Sequence, residues 1–365
     1  VRIAGVGVAF PPHYYDQDEL LAAFSRHWEG AHFNTARLDR LHQSVMVGGR
    51  HLALAIDEYE PLVDWGMAND AWIRVASDVG EAAVIDALAV SGVPIERVGA
   101  FLSTTVTGVA VPSLDARLMN RVDLPVSTKR TPIFGLGCLA GAAGVARAAD
   151  YVRAYPSEAA LLLSVELCSL TIQRDDFSIA NLISTGLFGD GAACAVLVGS
   201  ELADELDPPA AMRCMPRVLA SESLFFHGTE RVMGWDVSGS GLKVVLSADV
   251  PRLARDELSV GIRSFLDRYD RSPADIDHWV CHPGGPKVLT SLQEGLGLSG
   301  DPFARTWESL REVGNLSSAS VLLVLRDVMT AGGSRDGGAP EPGQLGLMVA
   351  MGPGFCAEML LLGWM

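Results

Sequence analysis

The chain has 365 residues, 49% of them hydrophobic and 20% charged, with a formal net charge of −16. That length and composition suit an enzyme with a large core and exclude a disordered or fibrous chain. The negative balance argues against nucleic acid or an anionic membrane surface as a partner, so an anionic ligand needs a local basic patch.

The opening "VRIAGVGVAF" reads as a strand stopped by Pro11 and Pro12, without the cationic, cleavable pattern of a secretory leader. A helix is predicted over 74–93, a buried strand over 97–106 and a helix over 113–124. "GCLAGAAG", from Gly137, opens an alanine-rich helix. Strands follow over 159–167 and 192–199. The acidic, proline-containing stretch 200–215 is expected to be a crossover, dividing an N-terminal half (1–205) from a C-terminal half (206–365). The second half then reads as a helix over 252–269, a strand in "IDHWVCHPGG", helices over 286–298 and 313–329, a loop over 332–344 and a final strand pair.

Apolar runs such as "AALLLSVELCSL" reach about 12 residues, short of the ~20 needed to span a bilayer. Six cysteines (Cys138, Cys168, Cys194, Cys214, Cys281 and Cys356) form no CxxC pair. Neither a disulfide framework nor a zinc site is expected, and the compartment reads as reducing cytoplasm.

The two halves repeat one order of elements. From Thr105, at the end of one strand, to Cys138 is 33 residues; from His282, at the end of its counterpart, to Asn315 is also 33. "FGDGAACAVLVG" has a looser partner in "MGPGFCAEMLLLG". This predicts an α/β fold built from two duplicated halves, with the glycine-opened helices side by side at the centre. Cys138, His282 and Asn315 would then converge.

A helix N-terminus carries unpaired N–H groups and partial positive charge, so a thiol there is expected to be acidified, more so beside a histidine. Cys138 reads as a nucleophile that carries an acyl group. The blander readings are a packed core cysteine, a core histidine and an asparagine N-cap. A histidine N–H and a carboxamide N–H together suit a developing enolate oxygen.

"GCLAGAAG", "HPGGPKVL" and "GNLSSAS", with "VPSLDARLMN", "LFGDGAA" and "MGPGF" in order, resemble the type III polyketide synthases, the chalcone/stilbene synthase-like branch of the thiolase superfamily. The resemblance covers almost the whole chain. It implies a five-layer αβαβα sandwich and a homodimer, without metal or cofactor. It implies that Cys138 loads an acyl-CoA starter, while His282 and Asn315 assist decarboxylation of malonyl-CoA. "ERVMGWDVSGSGLKVVLSADVP" looks most like bacterial alkylpyrone and alkylresorcinol synthases, implying a fatty acyl starter.

The resemblance also places Phe188 as an aromatic gate, and Val244 where a second gating phenylalanine is usual. Cys168, Thr171, Val106, Val111 and Ser317 match cavity positions. Met351 and Gly352 belong to the cyclisation loop, which reads "AMGPG" here. Gly284 and Gly285 border the histidine. Lys287, Arg37, Arg40 and Arg50 are candidates for the coenzyme A phosphates. Other readings are a ketoacyl synthase of fatty-acid initiation, a thiolase, and a non-catalytic acyl-binding relative.

Overall fold

The computed structural model describes residues 1–28, 35–206, 215–330 and 340–364. Chain order gives strand β1 (Arg2–Ala9), then the small antiparallel pair β2 (His13–Asp16) and β3 (Gly49–Leu52), which flanks helices α1 (Gln17–Trp28) and α2 (Thr35–Ser44). Helix α3 (Trp65–Ser91), β4 (Val98–Thr105), α4 (Leu114–Leu118) and β5 (Lys129–Phe134) lead to α5 (Ala140–Ala154). After it come β6 (Ala159–Leu167), α6 (Ile179–Leu187), β7 (Asp190–Val198) and α7 (Ser200–Glu205). The second half holds β8 (Arg217–Phe225), the ribbon β9 (Met233–Ser238) and β10 (Gly241–Leu246), and α8 (Val250–Leu253) running through a π turn into α9 (Ser259–Asp267). It ends with β11 (His278–Cys281), α10 (Pro286–Leu296), α11 (Ala304–Val313), α12 (Ser320–Thr330), β12 (Leu345–Gly352) and β13 (Cys356–Gly363).

Pairing shows the duplication. In the first half β4 runs parallel to β6, β6 antiparallel to β7, and β7 antiparallel to β1. In the second half β11, β12, β13 and β8 repeat that pattern of one parallel and two antiparallel pairs. Among the described residues the two sheets join at the Arg2–Arg217 bridge between β1 and β8. The repeat is incomplete: β5 borders β4, whereas α11 precedes the matching turn of the second half.

Side-chain alternation builds the layers, because successive residues of a strand face opposite ways. On β6, Ala160 and Leu162 join the central core, while Leu161, Leu163 and Val165 join the outer core beneath α3. On β12, Met348 and Ala350 face the centre, and Leu347, Val349 and Met351 face α8–α10. Both sheets are thus covered on both sides, which is why β6 is an unbroken buried run. Helices α5 and α12 lie between the sheets and touch strands of each. The result is the expected five-layer sandwich.

Several expectations change. Helix α3 begins nine residues earlier than predicted, where the Asp64 carboxylate accepts from the Met67 N–H, and ends at Gly92 with φ 67°. The helix predicted over 113–124 is one short turn, Leu114–Leu118; the rest is turn and irregular chain, and Pro125 opens a further turn closed by Thr128. In the expected crossover, α7 occupies 200–205, and residues 207–214, with Cys214, lie outside the described residues. So do residues 332–339 of the expected 332–344 loop.

Candidate active site

Cys138 lies in a single 3₁₀ turn, Gly137–Leu139, that leads into α5. Gly137 has φ 57°, and a Cβ there would lie 2.5 Å from Pro353. The turn is therefore pressed against the "MGPG" loop, a closeness only glycine tolerates. Gly141, one turn on, faces the opening of α12: a Cβ there would meet the Ser318 carbonyl at 2.2 Å. These small residues let the two central helix openings touch.

His282 follows directly on β11, and its N–H donates to the Val349 carbonyl, extending the ladder by one residue. Asn315 precedes a matching 3₁₀ turn, Ser317–Ala319. Its Oδ1 accepts from the Ser317 N–H at 2.8 Å, which turns Nδ2 toward His282. Asn315 Nδ2 lies 3.4 Å from His282 Nε2, and Cys138 Sγ lies 3.5 Å from Ser317 Oγ. Ser317 holds a left-handed φ of 47°, unusual for a non-glycine residue and found where geometry is imposed by its surroundings.

Cys138, His282, Asn315 and Ser317 all line one cavity of about 80 Å³. Val106, Cys168, Thr171, Phe188, Val244, Gly284 and Met351 line it too. A second cavity of about 500 Å³ adjoins it, and Phe188 and Ile172 belong to both walls. The larger space holds none of the Cys–His–Asn trio, so the chemistry belongs to the smaller.

Other candidates fall elsewhere. Val111 is 91% exposed, because the loop after β4 leaves the cavity beyond Val106 and runs over the surface. Gly352 lies behind the nucleophile turn, where a Cβ would sit 2.7 Å from the Leu136 carbonyl; it supports the wall without lining it. Gly285 has φ 111° and starts α10 beside Leu187. Lys287, in the first turn of α10, and Arg37 and Arg40, on α2, are exposed outside this cavity. Arg50 is 1% exposed, so it is not a surface cation for phosphates; it donates instead to the Phe188 carbonyl.

The electrostatics amend the expectation of an acidified thiol. Burial pushes the Cys138 thiol up to about 12; the Ser317 hydrogen bond opposes that and the Glu166 charge adds to it. Burial alone pushes His282 down to about 3, so its ring is neutral. Its Nδ1 makes no hydrogen bond, so what Nε2 meets decides the tautomer. A lone charge on either group is costly here. Moving the proton from sulfur to imidazole instead creates two opposite charges within one cavity, the sulfur at the turn that leads into α5.

Glu166 was not anticipated. It is fully buried, accepts from the Val106 N–H at 3.1 Å and Thr107 Oγ1 at 3.0 Å, and takes the Ser318 hydroxyl on its other oxygen. Burial raises its carboxyl to about 7, opposed by those hydrogen bonds. Its signal in the sequence was a single acid inside "LLLSVELCSL", since a charge in a buried run needs partners.

Residues 1–202 match the chalcone and stilbene synthase N-terminal domain, and residues 217–364 match the C-terminal domain. The chain is 44% identical to a 1,3,6,8-tetrahydroxynaphthalene synthase of Streptomyces peucetius subsp. caesius over 99% of its own length and 93% of the relative's. It is 31% identical to a phloroglucinol synthase of Pseudomonas fluorescens, covering 98% and 97% of the two chains. The crystal structure of a tetrahydroxynaphthalene synthase from Streptomyces coelicolor, a bacterial type III polyketide synthase, superposes with TM-score 0.90 at 29% identity, over 100% and 99% of the chains.

Proposed function

The chain belongs to the chalcone and stilbene synthase family, the type III polyketide synthases, and on that premise we propose that Cys138 is its acyl carrier and His282 and Asn315 its decarboxylation pair. One observation carries this reading: the linked contacts Cys138–Ser317–Asn315–His282 around a single cavity.

Loading begins when His282 takes the Cys138 proton and the sulfur attacks the starter's thioester carbonyl. The tetrahedral adduct collapses, the C–S bond to coenzyme A breaks, and His282 returns the proton to the departing thiolate. Malonyl-CoA then enters. Its thioester oxygen can take a hydrogen bond from Asn315 Nδ2 and, with the neutral ring's one proton on Nε2, a second from His282, since those nitrogens lie 3.4 Å apart. As the carboxylate leaves as CO₂, the C–C electron pair becomes an enolate whose negative oxygen those donors stabilise. The enolate carbon attacks the Cys138 thioester and releases the sulfur for the next cycle. No metal or redox step is called for.

For the starter we favour a small acyl group, malonyl-CoA itself included, with closure to a compact aromatic product. A cavity of about 80 Å³ holds only a handful of water-sized groups, at roughly 10–15 Å³ each, and no long tail. The two relatives are synthases of tetrahydroxynaphthalene and of phloroglucinol, neither of which carries an alkyl substituent. The second reading is a fatty acyl starter and an alkylpyrone or alkylresorcinol product. The apolar wall at Val244 and the 500 Å³ space behind Phe188 and Ile172 favour it. Product analysis by mass spectrometry, with malonyl-CoA alone and with short, long and aromatic acyl-CoA starters, separates the two. An aromatic product from malonyl-CoA alone or with a short starter is expected; turnover restricted to long-chain starters would reverse the preference.

We also propose a homodimer, with β5 at its centre. That strand is the last of its sheet among the described residues, and Lys129–Pro132 and Phe134 on it are exposed. An open edge of this kind is a template for pairing with a second strand, and exposed Val109, Val111 and Val126 lie on the segments leading to it. A cytoplasmic setting fits the absence of disulfides among the described cysteines. No helix among the described residues is long and apolar enough to cross a membrane.

A further inference from the structure

The end of α6 is where the gate position and the catalytic asparagine meet. A helix leaves its last four carbonyls without helical partners. In α6 each finds a separate one. The Ser184 carbonyl accepts from the Phe188 N–H, and the Gly186 carbonyl from Gln17 Nε2 at 3.0 Å. The Leu187 carbonyl accepts from the Asn315 N–H at 2.9 Å, and the Thr185 carbonyl from Arg50 Nη2. Arg50 Nη1 continues to the Phe188 carbonyl at 3.2 Å.

The segment Leu187–Gly189 is thus held from two sides. On one side it zips to Asn315, because the Gly189 N–H also donates to the Asn315 carbonyl at 3.0 Å. Glycines make that approach possible: a Cβ on Gly314 would lie 2.7 Å from the Leu187 carbonyl, and one on Gly189 would lie 2.4 Å from the Val313 carbonyl. On the other side stands a guanidinium that is 1% exposed, spans two carbonyls and leaves its Nε without a partner. Burying such a group is expensive, and neutral residues can cap carbonyls without that cost, as Gln17 does. A planar fork differs in reaching two acceptors in fixed geometry.

We propose that Arg50 is a positioning residue for the decarboxylation step: its guanidinium fixes the Leu187–Gly189 segment and through it both the Phe188 partition and the Asn315 carboxamide. The proposal rests on the function proposed above. It makes a specific separation. Acyl loading needs Cys138 and His282, neither of which is bonded to this segment. Malonyl decarboxylation needs the Asn315 carboxamide in register.

The test measures both steps on the full chain. Loading is read as the rate of covalent mass gain on Cys138 from an acyl-CoA, and decarboxylation as CO₂ release from malonyl-CoA. Arg50→Lys keeps the charge but loses the fork. It is expected to load within about threefold of the native rate and to lose at least about tenfold in decarboxylation, the scale of a small misplacement. Gln17→Ala removes a cap from the same helix end without touching Phe188, and is expected to lower thermal stability while leaving the ratio of the two rates unchanged. Equal losses of both steps in Arg50→Lys, or the same ratio change in Gln17→Ala, would overturn the proposal. So would failure of both Arg50→Lys and Arg50→Gln to fold by circular dichroism, which would assign Arg50 to the fold alone. A native chain that neither loads nor decarboxylates would refute the function itself, and this proposal with it.

Discussion

Glu166 shows how a single side chain supports the site without lining it. Its carboxyl joins the Val106 wall to Ser318 in the middle of the second 3₁₀ turn. Its folded value of about 7 lies above the ordinary 4.5. Between those values the folded chain holds a proton that the unfolded chain releases, so stability falls as pH rises through that window. The difference corresponds to about 3 kcal/mol by the usual conversion. Denaturant titrations between pH 4.5 and 7 should show that slope in the native chain and a flatter one in Glu166→Gln; equal slopes would show that the carboxyl is not proton-bearing.

At the level of elements, the site depends on the closeness of two helix openings. Gly141 is the contact, and a methyl group there would have to displace the Ser318 backbone. Gly141→Ala is expected to cost about 1–3 kcal/mol, the usual range for overpacking, and to slow condensation by moving Ser317 and Asn315 from Cys138. Thermal melting and product formation check both effects; a variant with native melting and native rate would show that the openings need not touch.

Which elements were legible follows from the same physics. β6 is legible to the residue because both its faces are buried, so its apolar run has sharp ends. The convergence of Cys138, His282 and Asn315 on one cavity is legible through a 33-residue spacing repeated in two halves. β5 escaped notice because it is an edge strand: "KRTPIF" is charged, contains proline and faces solvent. The early turns of α3 escaped because Asn69 and Asp70 dilute the apolar period there, while Asp64 supplies the cap. Arg50 looked like a surface cation because composition does not reveal burial. The roles of Gly352 and Val111 turned on which way a loop leaves the cavity, which spacing alone does not encode.

For the whole molecule, five layers give the site a rigid frame and leave the exposed terminal strand β5 open among the described residues. Light scattering coupled to size exclusion should give twice the chain mass. Phe134→Asp, which places a charge on that edge, should shift the mass toward that of one chain. A native monomer, or an unchanged dimer in the variant, would remove β5 from the interface.

In the proposed mechanism, residues from two halves of the chain act as one centre on a single sulfur. Intact-protein and peptide mass spectrometry after incubation with acyl-CoA, then with malonyl-CoA, tests this directly. The native chain should gain the acyl mass on the peptide containing Cys138 and then lengthen it. Cys138→Ala should gain nothing, His282→Gln should load at least about tenfold more slowly for want of its base, and Asn315→Ala should load but not extend. An adduct that persists in Cys138→Ala, or extension undiminished in Asn315→Ala, would contradict it.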